Sequence, residues 1–529
     1  QIIDLDKERM TKISKEITQN DFEKIFSKTL YFDSSTLIEF IESMCEIAKR
    51  EFQNNSQTKI FFLQKIVEVT EINILCRPRF NLNNIWKIVS DFLVEIGLSN
   101  DSDNSSHSID SLRQLTMKYL EKDESKEYHF QALFFKPFLE ISKKCQDIFI
   151  RKFIISCINN LIRNNLTKIK SGWVVILNIF EEIFKLPDEV KLQKDTLDIL
   201  EYISLYNYEE ISGIFEQFSN CLKLYTVQFP EKVIDIFGNL IPKVENEKNF
   251  KILINCFVPM FLHSNEKIRN QSLSYFSNCI NKRLKTEKSN LYEIGKNPIF
   301  WKYLIVSILL PTLSELIKKI TSLNYIINNN NLSFLTITNN NPTMDTTNNN
   351  ISNLDNSFDL NTNSNKIGIK NTINEKREYC KTLENSLIKI AYIFNDFLSY
   401  NYKELATFFD FLEKIIFAED ENIQNTGVEC VKFMHGSEKI KNKSFLQTFT
   451  LFLITLANKS LEEKLIETNE KELSKLIKSK KILNDKDMNL SLCYIHLSIL
   501  SLLDKLLSQN LIFLSDDILN KLLDCLEES

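Results

Sequence analysis

Apolar residues return along this chain at the three- and four-residue steps of an α-helix. In Leu37, Phe40, Ile41, Met44, Ile47 and Ala48 the steps are three, one, three, three and one. All six therefore share one helical face, with Glu39, Glu42 and Lys49 elsewhere around it. The same rhythm runs through 60–75, 85–96, 150–162, 173–184, 233–241, 252–262, 268–280 and 304–317, with short polar joins between. It returns at 387–398, 408–417, 445–457 and 492–507. Helices on short loops lie antiparallel in pairs, and such pairs stack so that each buries its apolar face on its neighbours. The repeat period is irregular. The pattern predicts an all-α chain, a HEAT/armadillo-like α-solenoid.

One stretch, 326–374, breaks the rhythm. It holds Asn runs at 328–331, 339–341 and 348–350, with Thr and Ser between them. Such a composition buries too little apolar area to offset the entropy of ordering. It is expected to be a disordered Asn-rich insertion between a helical block at 1–325 and a second at 375–529.

Composition supports helices over strands. Only 8 Gly and 9 Pro punctuate 529 residues, against 39 Phe and a 43% hydrophobic share. The net charge of -5 lacks the basic excess that phosphate neutralisation demands, so nucleic acid is not an expected partner. Eleven Cys are scattered singly, the nearest pair being Cys145 and Cys157, with no CxxC. That points to a reduced, cytoplasmic protein. The most apolar run, Tyr303 to Leu313, is shorter than the roughly 20 residues a bilayer needs. Broken by Pro311, it reads as a buried helix. The chain opens on Gln1 rather than Met, so it is expected to be an excerpt of a longer protein.

Catalytic chemistry finds little footing. No Walker loop, GxGxxG or HExxH occurs, and His107, His129, His263, His435 and His496 lie far apart. Catalytic residues, cofactors and metal ligands are all expected to be none. Three constellations stand out instead. The first is Leu63-Gln64-Lys65-Ile66-Val67-Glu68. The second is Asp110-Ser111-Leu112-Arg113-Gln114-Leu115, after a polar loop at 99–108 in which Ser108 or Asp110 is the expected N-cap. There Leu112, Leu115 and Tyr119 face inward. The third is Lys170-Ser171-Gly172-Trp173, where Ser and Gly end one helix and Trp opens the next. Each is a helix face or terminus with a structural role. Gln64, Lys65, Glu68, Asp110, Ser111, Arg113, Gln114, Ser171, Gly172 and Trp173 are the candidate partner-binding or structural residues, Arg and Trp being favoured at interface centres.

In this order the constellations resemble the HDS region (homology downstream of the Sec-seven domain) of large, BIG-type, brefeldin-A-inhibited Arf guanine-nucleotide exchange factors. The family pattern is similar to Leu63 to Val69, Arg77 and Arg79 leading to Trp86, Asp110 to Glu121, Phe130-Gln131 to Pro137-Phe138, Ile150-Arg151 to Ile158, and Ile169 to Phe180. Weaker likeness continues at Arg269 and Leu273, at Trp301 before Pro311, and at Leu383 to Phe417 followed by Gly427. Asn83 and Ser156 depart from it, and past about Lys459 no match remains.

The resemblance implies a non-catalytic regulatory and docking region of such a factor in Golgi vesicle traffic. Exchange itself would belong to a domain upstream of Gln1. The implied partners are a small GTPase of the Arf/Rab class, the factor's own exchange domain or N-terminal region, and the peripheral Golgi/trans-Golgi membrane, approached from the cytoplasm. A homodimer stays open. The alternative is an independent HEAT-type trafficking adaptor without exchange activity.

Overall fold

Helix starts in this chain are written by short polar side chains. Asp101 accepts from the backbone N–H of Asp103, Asp147 from that of Phe149, Asn246 from that of Asn249 and Asn265 from that of Lys267. Asp420 accepts from two, those of Asn422 and Ile423. Each bond satisfies a donor that the first turn leaves open, worth about 1 kcal/mol. The computed structural model describes residues 19–53, 59–77, 79–124, 129–186, 188–287, 289–339, 355–436, 443–475, 485–510 and 514–528. Among these residues there is no β-strand. The chain divides into two compact units, Gln1–Val244 and Glu245–Ser529.

The first unit runs α1 (Gln19–Ser27), α2 (Ser34–Gln53), α3 (Lys59–Cys76), α4 (Arg79–Gly97), α5 (Ser102–Tyr119) and α6 (Gln131–Lys144). It continues with α7 (Ile148–Asn165), α8 (Gly172–Phe184), α9 (Val190–Tyr206), the single turn α10 (Tyr208–Ser212), α11 (Phe215–Leu224) and α12 (Pro230–Leu240). Alternate helices stack. One row is α2, α4, α6, α8 and α11; the other is α1, α3, α5, α7, α9 and α12. Consecutive helices from α2 to α7, and α8 with α9, also pair across the rows, as in helical-repeat stacking. Leu93, Leu112, Phe138, Ile158 and Ile176 fill the space between the rows with no exposed surface. Each such side chain stabilises the unit by roughly 1.5–3 kcal/mol.

One expected boundary is corrected. The polar stretch at 99–108 is not a loop, and neither Ser108 nor Asp110 is the cap: α5 already starts at Ser102, capped by Asp101. Ser105 and Ser108 lie buried within it. The Ser108 hydroxyl donates to the Leu93 carbonyl of α4, and Ser105 donates to the Ser99 carbonyl. Small hydroxyl side chains let the two helices approach closely while the freed polar atoms bond across the hairpin.

The second unit contains α13 (Glu247–Phe257), α14 (Glu266–Leu284), the short α15 (Tyr292–Gly295) and α16 (Pro298–Lys302), then a π-helical segment, Tyr303–Leu309, that leads into α17 (Leu310–Asn339). After it come α18 (Asp355–Ile416), α19 (Glu421–His435), α20 (Lys443–Lys475), α21 (Asp485–Asn510) and α22 (Asp516–Glu528). Here α17 packs on α18, α18 on α14 and α19, α19 on α21, and α20 on α21 and α22. Of the expected disordered insertion at 326–374, residues 340–354 lie outside the described residues, while 326–339 belong to α17 and 355–374 to α18.

Pro311 does not break the apolar run. The run lies inside a continuous helical stretch, Pro298–Asn329, long and apolar enough by composition to cross a membrane. The π segment ends two residues before Pro311, a residue that cannot fit a regular α-helical interior without a local change in the turn. Leu304, Ile305, Leu309, Leu313, Leu316 and Ile320 along this stretch are buried within the unit. Helix α18 is kinked at Phe397 (φ -121°, ψ 22°), so the segments expected at 387–398 and 408–417 are its two halves. The Phe397 ring sits 4.6 Å from that of Trp301.

Candidate functional site

All three constellations lie in the first unit, and they occupy three different environments.

On α3, Lys65 is only 8% exposed. Its ammonium donates to both carboxylate oxygens of Glu23 at 2.9 Å and to Glu68 at 2.8 Å, and lies 5.3 Å from the centre of the Phe26 ring. Burial pulls its pKa down, but the bonds to Glu68 and Glu23 outweigh that and hold it above the usual lysine range. The lysine thus pins α1 onto α3. Gln64 is exposed. At the C-terminal end, Arg77 donates to Asn73 and to the carbonyls of Thr29 and Phe32, closing the α1–α2 turn onto α3.

On α5, Leu112 and Leu115 point into the core while Asp110, Arg113 and Gln114 form a cluster on the outer edge. The Asp110 carboxylate accepts from Arg113 Nε and Nη2, both at 2.8 Å, and from Gln114 Nε2 at 2.7 Å. Arg113 keeps 24% of its side chain exposed. Ser111 is buried and donates to the His107 carbonyl of its own helix. Behind the cluster, Cys157 of α7 has its thiol pushed up to about 12, chiefly by burial, with Asp110 adding to the rise and Arg113 opposing it.

At the start of α8 the sequence elements knit together. Glu124, which the sequence did not mark, and Gln131, named there only within the family-like pattern, make the joint. Glu124 is buried, and its carboxylate accepts from the backbone N–H of Gln131 (3.0 Å), the N–H of Ser171 (2.9 Å) and the Ser171 hydroxyl (2.6 Å). The Gln131 side chain donates to the Lys168 carbonyl and accepts from the Lys170 N–H. Gly172 is there because space forbids more: a Cβ would stand 2.6 Å from Phe135 Cε2. Trp173 is 1% exposed, a core residue beneath the joint rather than a surface anchor. Nothing in the acidic run at 121–127 separates Glu124 from its neighbours; only the fold brings it to Ser171.

A second lock explains a proline inside a helix. Pro137 lies within α6 and has no N–H, so the carbonyl of Leu133 loses its intrahelical donor. The indole N–H of Trp86, from α4, donates to that carbonyl at 3.0 Å. The Trp86 ring stacks on Phe134 (4.1 Å), which stacks on Tyr119 (3.7 Å), which meets Phe130 edge-on (4.7 Å). The Trp86, Asp110–Tyr119, Phe130–Phe138 and Ser171–Trp173 motifs are therefore neighbours in one core. Asp110, Arg113 and Gln114 are left at the outer edge of that core. Among the described residues, no three His, Cys, Asp or Glu side chains gather closely enough to hold a metal ion.

Comparison with known proteins places this joint. Residues 118–202 match the family described as Mon2/Sec7/BIG1-like, HDS. Brefeldin A-inhibited guanine nucleotide-exchange protein 3 of Arabidopsis thaliana is 36% identical over 160 residues, 30% of this chain and 9% of that protein. The corresponding protein 1 of Homo sapiens is 32% identical over 158 residues, 30% of this chain and 8% of its own length. The alignments thus span less than a tenth of these relatives. Among solved structures, a circular tandem repeat protein shares 11% identity over 90% of this chain and 98% of its own, with a TM-score of 0.32. Importin beta shares 11% over 98% of this chain and 64% of its own, with a TM-score of 0.24. Scores this low carry no argument about fold, which rests on the helix rows themselves. The motif order and the sequence relatives agree: residues 118–202 match the family described as Mon2/Sec7/BIG1-like, HDS, and the chain is similar over about 160 residues to brefeldin A-inhibited exchange proteins.

Proposed function

We propose that this chain is a non-catalytic regulatory and docking region of a large Arf guanine-nucleotide exchange factor, and that a small GTPase of the Arf/Rab class docks on the outer edge of α5. One observation carries the reading. Among the described residues, the hydrogen bonds of Asp110, Arg113 and Gln114 run only to one another, within a single helix. Bonds of that kind stabilise a helix by about 0.2–0.5 kcal/mol, so the fold itself gains little from the triplet. What the triplet does achieve is a guanidinium held in one orientation at the surface. A preorganised arginine loses less entropy on binding and is a favoured interface anchor.

On this reading the same surface serves recruitment to the cytoplasmic face of Golgi membranes and contact with the factor's own exchange domain or N-terminal region. A GTP-loaded partner that binds better than its GDP form shifts the factor toward its recruited state by that difference in affinity. The test is capture of Arf by the purified 529-residue chain, with Arf loaded with GTP or GDP. Retention of GTP-loaded Arf by the wild type and its loss in Arg113→Ala, with circular dichroism unchanged, supports the reading. Equal capture of both forms, or equal capture by the variant, contradicts it.

A further inference from the structure

Helices α19 and α21 of the second unit flank an open cleft of about 260 Å³, lined by Lys432, Leu497, Ser498, Ser501, Leu502 and Lys505. On α21 the residues 498, 501, 502 and 505 fall at helical spacing, so two hydroxyls and one ammonium line the same wall. Lys432 faces them from α19. It is paired with Glu429, one turn earlier, at 2.8 Å and stays 33% exposed. Lys505 is exposed, and among the described residues no carboxylate lies within ion-pair distance of it. Positive potential is also felt by His435, one turn beyond Lys432. It is half-buried and held below the ordinary imidazole range by burial and then by Lys505.

Two lysines and two serines line this cleft, Lys432 sharing its charge with Glu429. The donors suit a compact, multiply charged anion with several acceptor oxygens, which lysines bind as point charges. The remaining lining is apolar: Leu502 is buried, whereas Leu497 leaves 65% of its surface exposed at the mouth. A bare anion would leave that leucine unused, whereas the organic arm of an ester would cover it. The volume is below the roughly 300–1,000 Å³ of sites for drug-sized ligands, so the pocket takes a head group rather than a nucleotide. We propose that this cleft is a binding site for a phosphate monoester, with Lys432 and Lys505 on the phosphate and Leu497 against its organic arm. It belongs to the second unit and does not rest on GTPase docking.

The experiment uses the full chain and the double variant Lys432→Gln/Lys505→Gln. Glycerol 3-phosphate is titrated calorimetrically, and flotation is measured on vesicles containing phosphatidic acid or, at matched charge, phosphatidylserine. Both lysines are partly exposed, so the variant should keep the wild-type circular dichroism. Loss of two charge-assisted contacts should weaken binding by more than about tenfold. Saturable binding of glycerol 3-phosphate that the variant loses assigns a soluble ester. Flotation on phosphatidic acid alone, lost in the variant, assigns a lipid head group. Equal flotation on phosphatidylserine, equal binding by a folded variant, or no binding of either probe by the wild type overturns the proposal.

Discussion

At the scale of single residues, Glu124 is an exacting position. Its carboxylate takes three donors in a buried joint. Hydrogen bonds to a charged group contribute about 1.5–3 kcal/mol, and orphaned donors cost more than the average bond returns. Glu124→Ala should therefore lower unfolding stability by about 3 kcal/mol in urea, with Glu124→Gln losing less because it still accepts at one oxygen. Unchanged midpoints for both would remove the joint from the account. Gly172→Ala should cost about 1–3 kcal/mol by forcing Phe135 aside. Arg113→Ala, in contrast, should leave stability within about 1 kcal/mol of wild type, because its partner lies on its own helix.

At the scale of elements, the pairing of Trp86 with Pro137 makes a reciprocal prediction. Trp86→Phe keeps the stacked rings but leaves the Leu133 carbonyl without its donor, at a cost of about 1–3 kcal/mol. Adding Pro137→Ala supplies a backbone N–H in its place, so the double variant should recover part of the loss; a purely additive cycle would show that the lock is not there. In the second unit Arg269 is fully buried. It donates to the carbonyls of His263 and Ser264 and to Thr382, and lies 4.2 Å over the Tyr379 ring, holding α14 to α18. Arg269→Ala should destabilise by about 3–5 kcal/mol, read in a thermal or urea melt.

These locks also mark what the sequence made legible. Helical periodicity is a local property, so 37–48, 150–162 and 173–184 all fall inside helices, and Leu112, Leu115 and Tyr119 face inward as expected. The start of α5 was not legible, because serines favour caps in isolation and only the nearby Leu93 carbonyl turns Ser108 into a buried helical residue. Nor were Glu124, the bonds of Gln131 or the partners of Arg269, since those bonds join residues distant in sequence. Gly427 was named only through the family likeness. The reason for a glycine is now plain: a Cβ there would stand 2.8 Å from Ile416 Cγ1 and 2.9 Å from Ile415 Cγ2 at the α18–α19 contact.

At the scale of the whole molecule, the buried thiols couple stability to pH. Burial raises Cys45, Cys157 and Cys279 from 9.0 to about 12 and Cys380 to about 11. Folding keeps these thiols protonated, whereas the unfolded chain releases their protons above pH 9. Their contribution is therefore full below about pH 9 and is lost as pH rises toward 11–12. The urea midpoint should fall between pH 8 and pH 10, and alkylation of the native protein should reach exposed Cys76 well before Cys157 or Cys279. A flat profile would contradict the burial of these groups.

The central claim, that helix rows stapled together by Glu124 and Trp86 present the α5 edge to an activated GTPase, meets its most direct test in liposome flotation. The purified 529-residue chain would be floated with Arf loaded with GTP or with GDP, beside Arg113→Ala. The account predicts recruitment with GTP-loaded Arf, little with the GDP form, and a clear loss in a variant that remains folded. Recruitment independent of the nucleotide, or undiminished by Arg113→Ala, would contradict it.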